Sequence, residues 1–251
     1  MSTGWGIFEA NIIICKIFIA SIVTDRVSTG FSVLDDALQG GYPKGAVVSL
    51  YGRTSRARKR LALQFTQSNQ ITLFINTRDS LEVIQNEAQL FTISLDTTVF
   101  LDAVHWRLKR LNPKLESSAE YSVTNLTDLN ALLAKIMEAC KTHPIQRIVF
   151  DSPTSLLLYS TPGKEQVYKF FELLTAFVRG NGITLCYTLE KGVHPQEMIA
   201  TMQYLSDGVI ETESVINGTD DYIDRLQILQ MSLTNFDPHS LEFMNGTIRK
   251  E

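Results

Sequence analysis

The sequence predicts an α/β fold: a mostly parallel, twisted sheet with helices on both faces and an antiparallel extension at its C-terminal end. Three observations point there. Short apolar runs alternate with longer amphipathic stretches from Val47 onward, several of those runs are apolar throughout, and after Glu211 the helical stretches give way to short strands.

In order, Val47–Tyr51 reads as a strand, and Arg58–Ser68, with Leu61, Leu63 and Phe65 among polar neighbours, as a helix. Ile71–Asn76 is the next strand, Leu81–Phe91 a helix and Val99–Asp102 a short strand. A helix capped by Thr124 or Asn125 runs through Ala131, Leu132, Ile136 and Met137 to Cys140. Ile148–Asp151 is a buried strand that ends in a carboxylate. Gly163–Arg179 is a long amphipathic helix stopped by Gly180-Asn181-Gly182, and Ile183–Thr188 is another buried strand. After Gly208–Glu211 come the strands Arg225–Ser232 and Leu241–Arg249, separated by the turn Asn235-Phe236-Asp237-Pro238, which extend one sheet edge in antiparallel fashion. Leu108–Tyr121, polar and holding Pro113 and Ser117-Ser118, reads as a mobile loop. No linker or internal repeat divides the chain, so residues 26–251 are expected to form one domain and residues 1–25 an N-terminal segment outside it.

Composition narrows the function classes. With 251 residues, 44% hydrophobic and 20% charged, the chain can bury a sizeable core. Its net charge of -4, from 23 Lys+Arg against 27 Asp+Glu, argues against a surface that grips nucleic acid everywhere and restricts any such contact to a local basic patch. Cys15, Cys140 and Cys186 are odd in number, far apart and set in apolar runs, which excludes a disulfide framework and suits a reducing cytoplasm. His143, His194 and His239 lack metal-ligand spacing, so no metal site is expected. Ile12–Val23 is apolar but interrupted by Lys16 and shorter than the roughly 20 residues that cross a bilayer. It reads as a strand that packs on its own core or adds to a neighbouring subunit's sheet, not as a membrane anchor.

Val27-Ser28-Thr29-Gly30, Leu34-Asp35, Leu38, Gly40-Gly41, Pro43 and Gly45 resemble, in type and spacing, the opening of the RecA superfamily's KaiC-like and RadA-paralogue ATPases. Arg147-Ile148-Val149-Phe150-Asp151-Ser152 resembles the family's Walker B strand, and Leu205-Ser206-Asp207-Gly208-Val209-Ile210 a later family strand. The resemblance runs from about Arg26 to the C-terminus and implies a RecA-like core.

It also implies a phosphate loop at Gly52-Arg53-Thr54-Ser55-Arg56-Ala57-Arg58-Lys59, where a working loop reads G-x-x-x-x-G-K-[ST]. Here Ala57 stands for the second glycine, Arg58 for the lysine and Lys59 for the magnesium-binding hydroxyl. An ammonium cannot ligate a cation. Arg78 and Asp79 match a pair of family carboxylates, one of which is thereby a cation, and Gln230-Met231-Ser232 matches a K-x-R segment that has lost both charges. Phosphoryl transfer needs magnesium, lysine and arginine together, so the expectation is a pseudo-ATPase with no catalytic residues; a weak ATPase using Arg58 is the enzymatic alternative.

Gly52, Thr54, Ser55, Arg58, Lys59 and Asp151 are then the candidate residues for holding a nucleotide or anion without turnover, with Glu190 a second carboxylate at a strand end. Arg53, Arg56, Arg58, Lys59 and Arg60 crowd a helix start, which itself favours anions. Arg107, Lys109, Arg110 and Lys114 form a second basic cluster suited to a nucleic-acid backbone, flanked by His105 and Trp106. The expected role is a regulator or scaffold in recombinational DNA repair. Its expected partners are a related RecA-family protein or a second copy of itself, with single-stranded DNA as a further partner. A KaiC-like signalling module that binds only proteins is the alternative.

Overall fold

The computed structural model describes residues 25–53, 55–159, 163–216, 222–236, 241–244 and 247–250. The strand expected at Ile12–Val23, Cys15 and the candidate site residue Thr54 lie outside the described residues. In chain order the strands are β1 (Arg26–Val27), β2 (Tyr42–Pro43), β3 (Val47–Gly52), β4 (Ile71–Asn76), β5 (Thr98–Asp102) and β6 (Tyr121–Ser122). They continue with β7 (Ile145–Asp151), β8 (Thr184–Glu190), β9 (Gly208–Ile216), β10 (Tyr222–Met231), β11 (Leu241–Met244) and β12 (Thr247–Lys250). The helices are α1 (Ser32–Ala37), α2 (Arg56–Gln64), α3 (Leu81–Leu90), α4 (His105–Leu111), α5 (Leu129–Thr142), α6 (Pro153–Tyr159), α7 (Gly163–Gly180) and α8 (Gln196–Tyr204).

β3 to β12 form a ten-stranded sheet in the order β12-β11-β10-β9-β3-β8-β7-β4-β5-β6. All pairings from β6 to β9 are parallel, and those from β9 to β12 antiparallel. This is the RecA-like α/β architecture with its antiparallel extension. The strand period of two sorts side chains into two cores. Val47, Leu73, Ile75, Ile148, Phe150, Leu185 and Tyr187 face the apolar sides of α5, α7 and α8. Val48, Leu50, Phe74, Val149, Cys186 and Ile210 face α1, α2 and α3 on the other side. Both sheet faces are therefore covered, which is why β3, β7 and β8 are apolar along nearly their whole length.

The small β1–β2 ribbon is attached to the second core through Arg147. This guanidinium is 4% exposed and donates to the carbonyls of Ser28 and Phe65, both at 2.9 Å, and to Gln70 Oε1 at 2.7 Å. Burial lowers its pKa to about 10, partly offset by Asp35.

Several boundaries differ from the sequence expectations, each for a local reason. α2 begins at Arg56 because Ser55 takes the cap position and its hydroxyl accepts the Arg58 N–H at 3.2 Å. α5 is capped by Asp128, which accepts the Ala131 N–H at 2.9 Å. Thr124 and Asn125 do not cap it; Asn125 Oδ1 closes a separate turn by accepting the Thr127 N–H at 3.0 Å. The segment 241–249 is a hairpin rather than one strand, with Met244 opposite Thr247. The reversal is signalled by Asn245-Gly246 in the sequence, a dipeptide suited to a two-residue hairpin turn that the one-strand expectation overlooks. α4 occupies the first part of the segment expected to be a mobile loop, and the rest is tied down. His105 Nε2 lies 2.8 Å from the Leu115 carbonyl, and the Ser117 hydroxyl donates to Asp102 Oδ2 at 2.7 Å.

Candidate functional site

The sheet register brings one row of strand ends together. Gly52 lies opposite Glu190 and Thr212, and Asn76 opposite Asp102 and Asp151. In open α/β sheets this carboxyl edge is where ligands bind. Gly52 closes β3 where nothing larger fits: a Cβ there would stand 2.2 Å from the Thr212 carbonyl oxygen and 2.3 Å from its hydroxyl.

The cations of the segment 53–60 separate into four environments. Arg58, 4% exposed, turns inward beneath the loop, donating to the Gly52 carbonyl, to the Leu189 carbonyl at 3.2 Å, and to Glu190 Oε1 in a buried ion pair. Lys59 leans the other way, with Nζ 2.6 Å from Asp79 Oδ2 and paired also with Glu87. The Arg60 guanidinium stacks over the Phe91 ring at 4.9 Å and lies 5.9 Å from the Phe243 ring. Arg53 and Arg56 are exposed. A single patch of cations therefore does not exist.

Arg78 joins this network from the other side. Its guanidinium contacts Asp79 at 2.9 Å, Glu190 at 3.6 Å and Asp151 at 3.9 Å. Burial opposes its charge, but Asp151, Asp79 and Glu190 together outweigh burial, and its pKa is raised. For Asp79 burial likewise opposes the charge, and the hydrogen bonds from Lys59 and Arg78 overcome it, holding the carboxyl below its ordinary range. Asp151, at the end of β7, accepts the Thr188 hydroxyl at 2.6 Å in addition to facing Arg78. Arg58, Lys59 and Arg78 thus interlock with Asp79, Glu87, Asp151 and Glu190.

The start of α2 has its own anionic neighbour. Asp224 Oδ2, on β10, accepts the Ala57 N–H at 3.4 Å, while its Oδ1 accepts the Ser214 hydroxyl. Together with the Ser55 cap, internal side-chain oxygens therefore meet two N–H donors of the first helical turn, those of Ala57 and Arg58. A magnesium nucleotide does not fit these residues as they stand: the Ala57 and Arg58 N–H donors at the helix start are engaged, the guanidinium at the lysine position is sealed below the loop, and Lys59 offers a cation where a metal ligand is needed. Among the described residues no group of three or more His, Cys, Asp and Glu side chains is arranged to hold a metal.

Sequence reasoning named Gly52, Ser55, Arg58, Lys59, Asp151 and Glu190, and the structure brings them to one place. It missed Glu87 and Asp224 as partners. Asp224 is 167 positions from Ala57, and only the pairing of β10 with β9 places it there.

The second basic cluster is less uniform than its spacing suggests. Arg107 donates to the Thr77 carbonyl at 2.5 Å and so faces the sheet end. Lys109 and Arg110 line a cavity of about 250 Å³ with His105, Trp106 and the strand end Ser122–Thr124. The Arg110 guanidinium lies 4.9 Å over the Trp106 ring, whose Nε1–H donates to the Ala103 carbonyl at 3.0 Å. Lys114 sits beyond α4 in the anchored segment and is exposed.

Comparison with known proteins gives a consistent family. A family described as "ATPase: KaiC" matches residues 27–249. The circadian clock oscillator protein KaiC of Parathermosynechococcus lividus is 22% identical over 201 residues, 77% of this chain. The match spans only 36% of that relative's length. A crystal structure of a KaiC-like protein from the hyperthermophilic archaeon Pyrococcus horikoshii OT3 superposes with a TM-score of 0.73 at 17% identity, covering 91% of this chain and 99% of that one.

Proposed function

Because this chain belongs to the KaiC family of ATPases, its core is a RecA-like ATPase domain, and we propose that this member binds partners without hydrolysing ATP. The observation that carries the proposal is the buried Arg58–Glu190 pair: the side chain aligned with the family's phosphate-binding lysine is 4% exposed and bonded to the loop's own strand. Phosphoryl transfer is positioning plus charge neutralisation, and here the positioned cations already neutralise internal carboxylates. The domain, residues 26–251, then acts as a regulator or scaffold. Its partner is a related RecA-fold subunit or a second copy of the chain.

Two settings suit such a scaffold. Resemblance to RadA paralogues supports one setting, beside an active RecA-family protein in recombinational DNA repair, with Lys109 and Arg110 meeting single-stranded DNA. The likeness to a circadian clock protein favours regulation through protein contacts alone. Among the described residues no helix is long and apolar enough to cross a membrane, and both settings suit a cytoplasmic protein.

The deciding assay is phosphate release from magnesium ATP by the full chain, expected at background. Turnover that disappears in the Arg58→Ala variant would overturn the proposal and establish Arg58 as a working substitute. A salt-dependent mobility shift of single-stranded DNA, lost in Lys109→Ala/Arg110→Ala, separates the two settings, since binding to polyanionic DNA weakens steeply with salt.

A further inference from the structure

The poor fit to a magnesium nucleotide has a positive counterpart. In a phosphate-binding helix start, an anion sits on the backbone N–H groups and a cation sits beside it. Both roles are filled here from within the chain. The Asp224 carboxylate, held from behind by the Ser214 hydroxyl, lies on the Ala57 N–H. The Arg58 guanidinium fills the floor between the ends of β3 and β8, contacting the Gly52 and Leu189 carbonyls and Glu190. Lys59, bonded to Asp79 and Glu87, ties the same turn of α2 to the neighbouring β4–α3 connection and to α3 itself. Arg78 closes the ring through Asp79, Glu190 and Asp151.

We infer that this is a self-ligated site, in which Asp224 stands in for the bound anion, and Arg58 with Lys59 for the bound cation, so that the chain holds its ligand-bound arrangement with no nucleotide. The inference deepens the non-hydrolytic reading and rests on the same site, but it goes further: nucleotide is excluded, not merely left intact. A carboxylate on the helix start repels phosphate, and a guanidinium committed to a carboxylate and two carbonyls is not available to neutralise one.

A buried guanidinium that serves as a ligand should be replaceable by a free one. Arg58→Ala is expected to lower the melting temperature of the full chain. Guanidinium chloride at a few millimolar should restore part of the loss in that variant and not raise the wild-type value, while equimolar urea does neither. Asp224→Asn, which keeps the shape and removes the charge, should bring calorimetrically detectable binding of inorganic pyrophosphate to a chain that otherwise shows none. This second variant keeps the inference testable if Arg58→Ala does not fold. Heat from magnesium ATP or pyrophosphate with the unmodified chain would overturn the inference, as would an Asp224→Asn variant that folds and binds no pyrophosphate. Guanidinium acting no better than urea on folded Arg58→Ala would overturn it equally. Wild-type binding without turnover would sink self-ligation and leave the non-hydrolytic reading standing; turnover would sink the latter.

Discussion

Replacing Glu190 by Leu would leave Arg58 facing an apolar side chain with its charge unanswered. The two side chains are 4% and 12% exposed, so water reaches the pair poorly. Breaking a buried ion pair by removing one member costs about 3–5 kcal/mol. Two features pull the value toward the lower end: the Leu189 carbonyl at 3.2 Å and the Gly52 carbonyl stay within reach of the guanidinium. Taking about 3 kcal/mol, a domain of this size should lose roughly 6–12 °C in melting temperature. The double variant Arg58→Met/Glu190→Leu removes both charges and should recover part of that loss, since an apolar replacement of both members is often close to neutral; the remainder reports the Arg78 contact with Glu190 at 3.6 Å, which Glu190→Leu also removes. Urea unfolding of the wild type, both single variants and the double variant gives the coupling energy directly. A single-variant cost under about 1 kcal/mol, or strict additivity across the cycle, would show that the pair does not hold the loop.

Two further perturbations test the surroundings. Gly52→Ala should destabilise the chain strongly or leave it insoluble, because its Cβ would meet the Thr212 carbonyl at 2.2 Å; soluble expression with an unchanged melting temperature would contradict the packing. Two depressed pKa values give stability that falls with acid. Burial lowers that of His194 below 6.5, only partly opposed by Glu190, so its contribution is full above the unfolded value and declines as pH falls through it. The lowered pKa of Asp79 adds a second decline below 3.8. Urea midpoints measured from pH 7 to 3 should show both, with the first step flattened in His194→Gln and the second in Asp79→Asn.

The architecture was readable in the sequence because burial writes itself into local composition. β3, β7 and β8 are covered on both faces and spelled by continuous apolar runs, and α7 shows one apolar stripe ended by glycine. Elements whose cause is distant were harder to see. α6, seven residues that begin two positions after the end of β7, is too short to display a helical period of its own, whereas the 241–250 hairpin is announced by Asn245-Gly246, a turn dipeptide that the reading of Leu241–Arg249 as one strand passes over. The same division holds at the site. Gly52, Ser55, Arg58, Lys59 and Asp151 sit at strand and helix ends that a spacing argument can locate. The partners that decide what these residues do, Glu87 and Asp224, arrive from other elements through sheet register and helix packing. Five cations in one short stretch looked like an anion trap; the structure gives three of them separate tasks inside the domain.

Gly52 is the position of the loop that most resembles a working phosphate binder, and the strand beside it accounts for its identity. With the Thr212 carbonyl and hydroxyl crowding the place a Cβ would take, it would have to be glycine in a chain that never met a phosphate. A signature residue can thus outlast its signature when a neighbour needs the same atom to be missing. What informs about nucleotide use in this loop is accordingly the set of side chains free to change: Arg58 and Lys59 have been taken into the domain's own ion pairs, and the Ala57 methyl into its core.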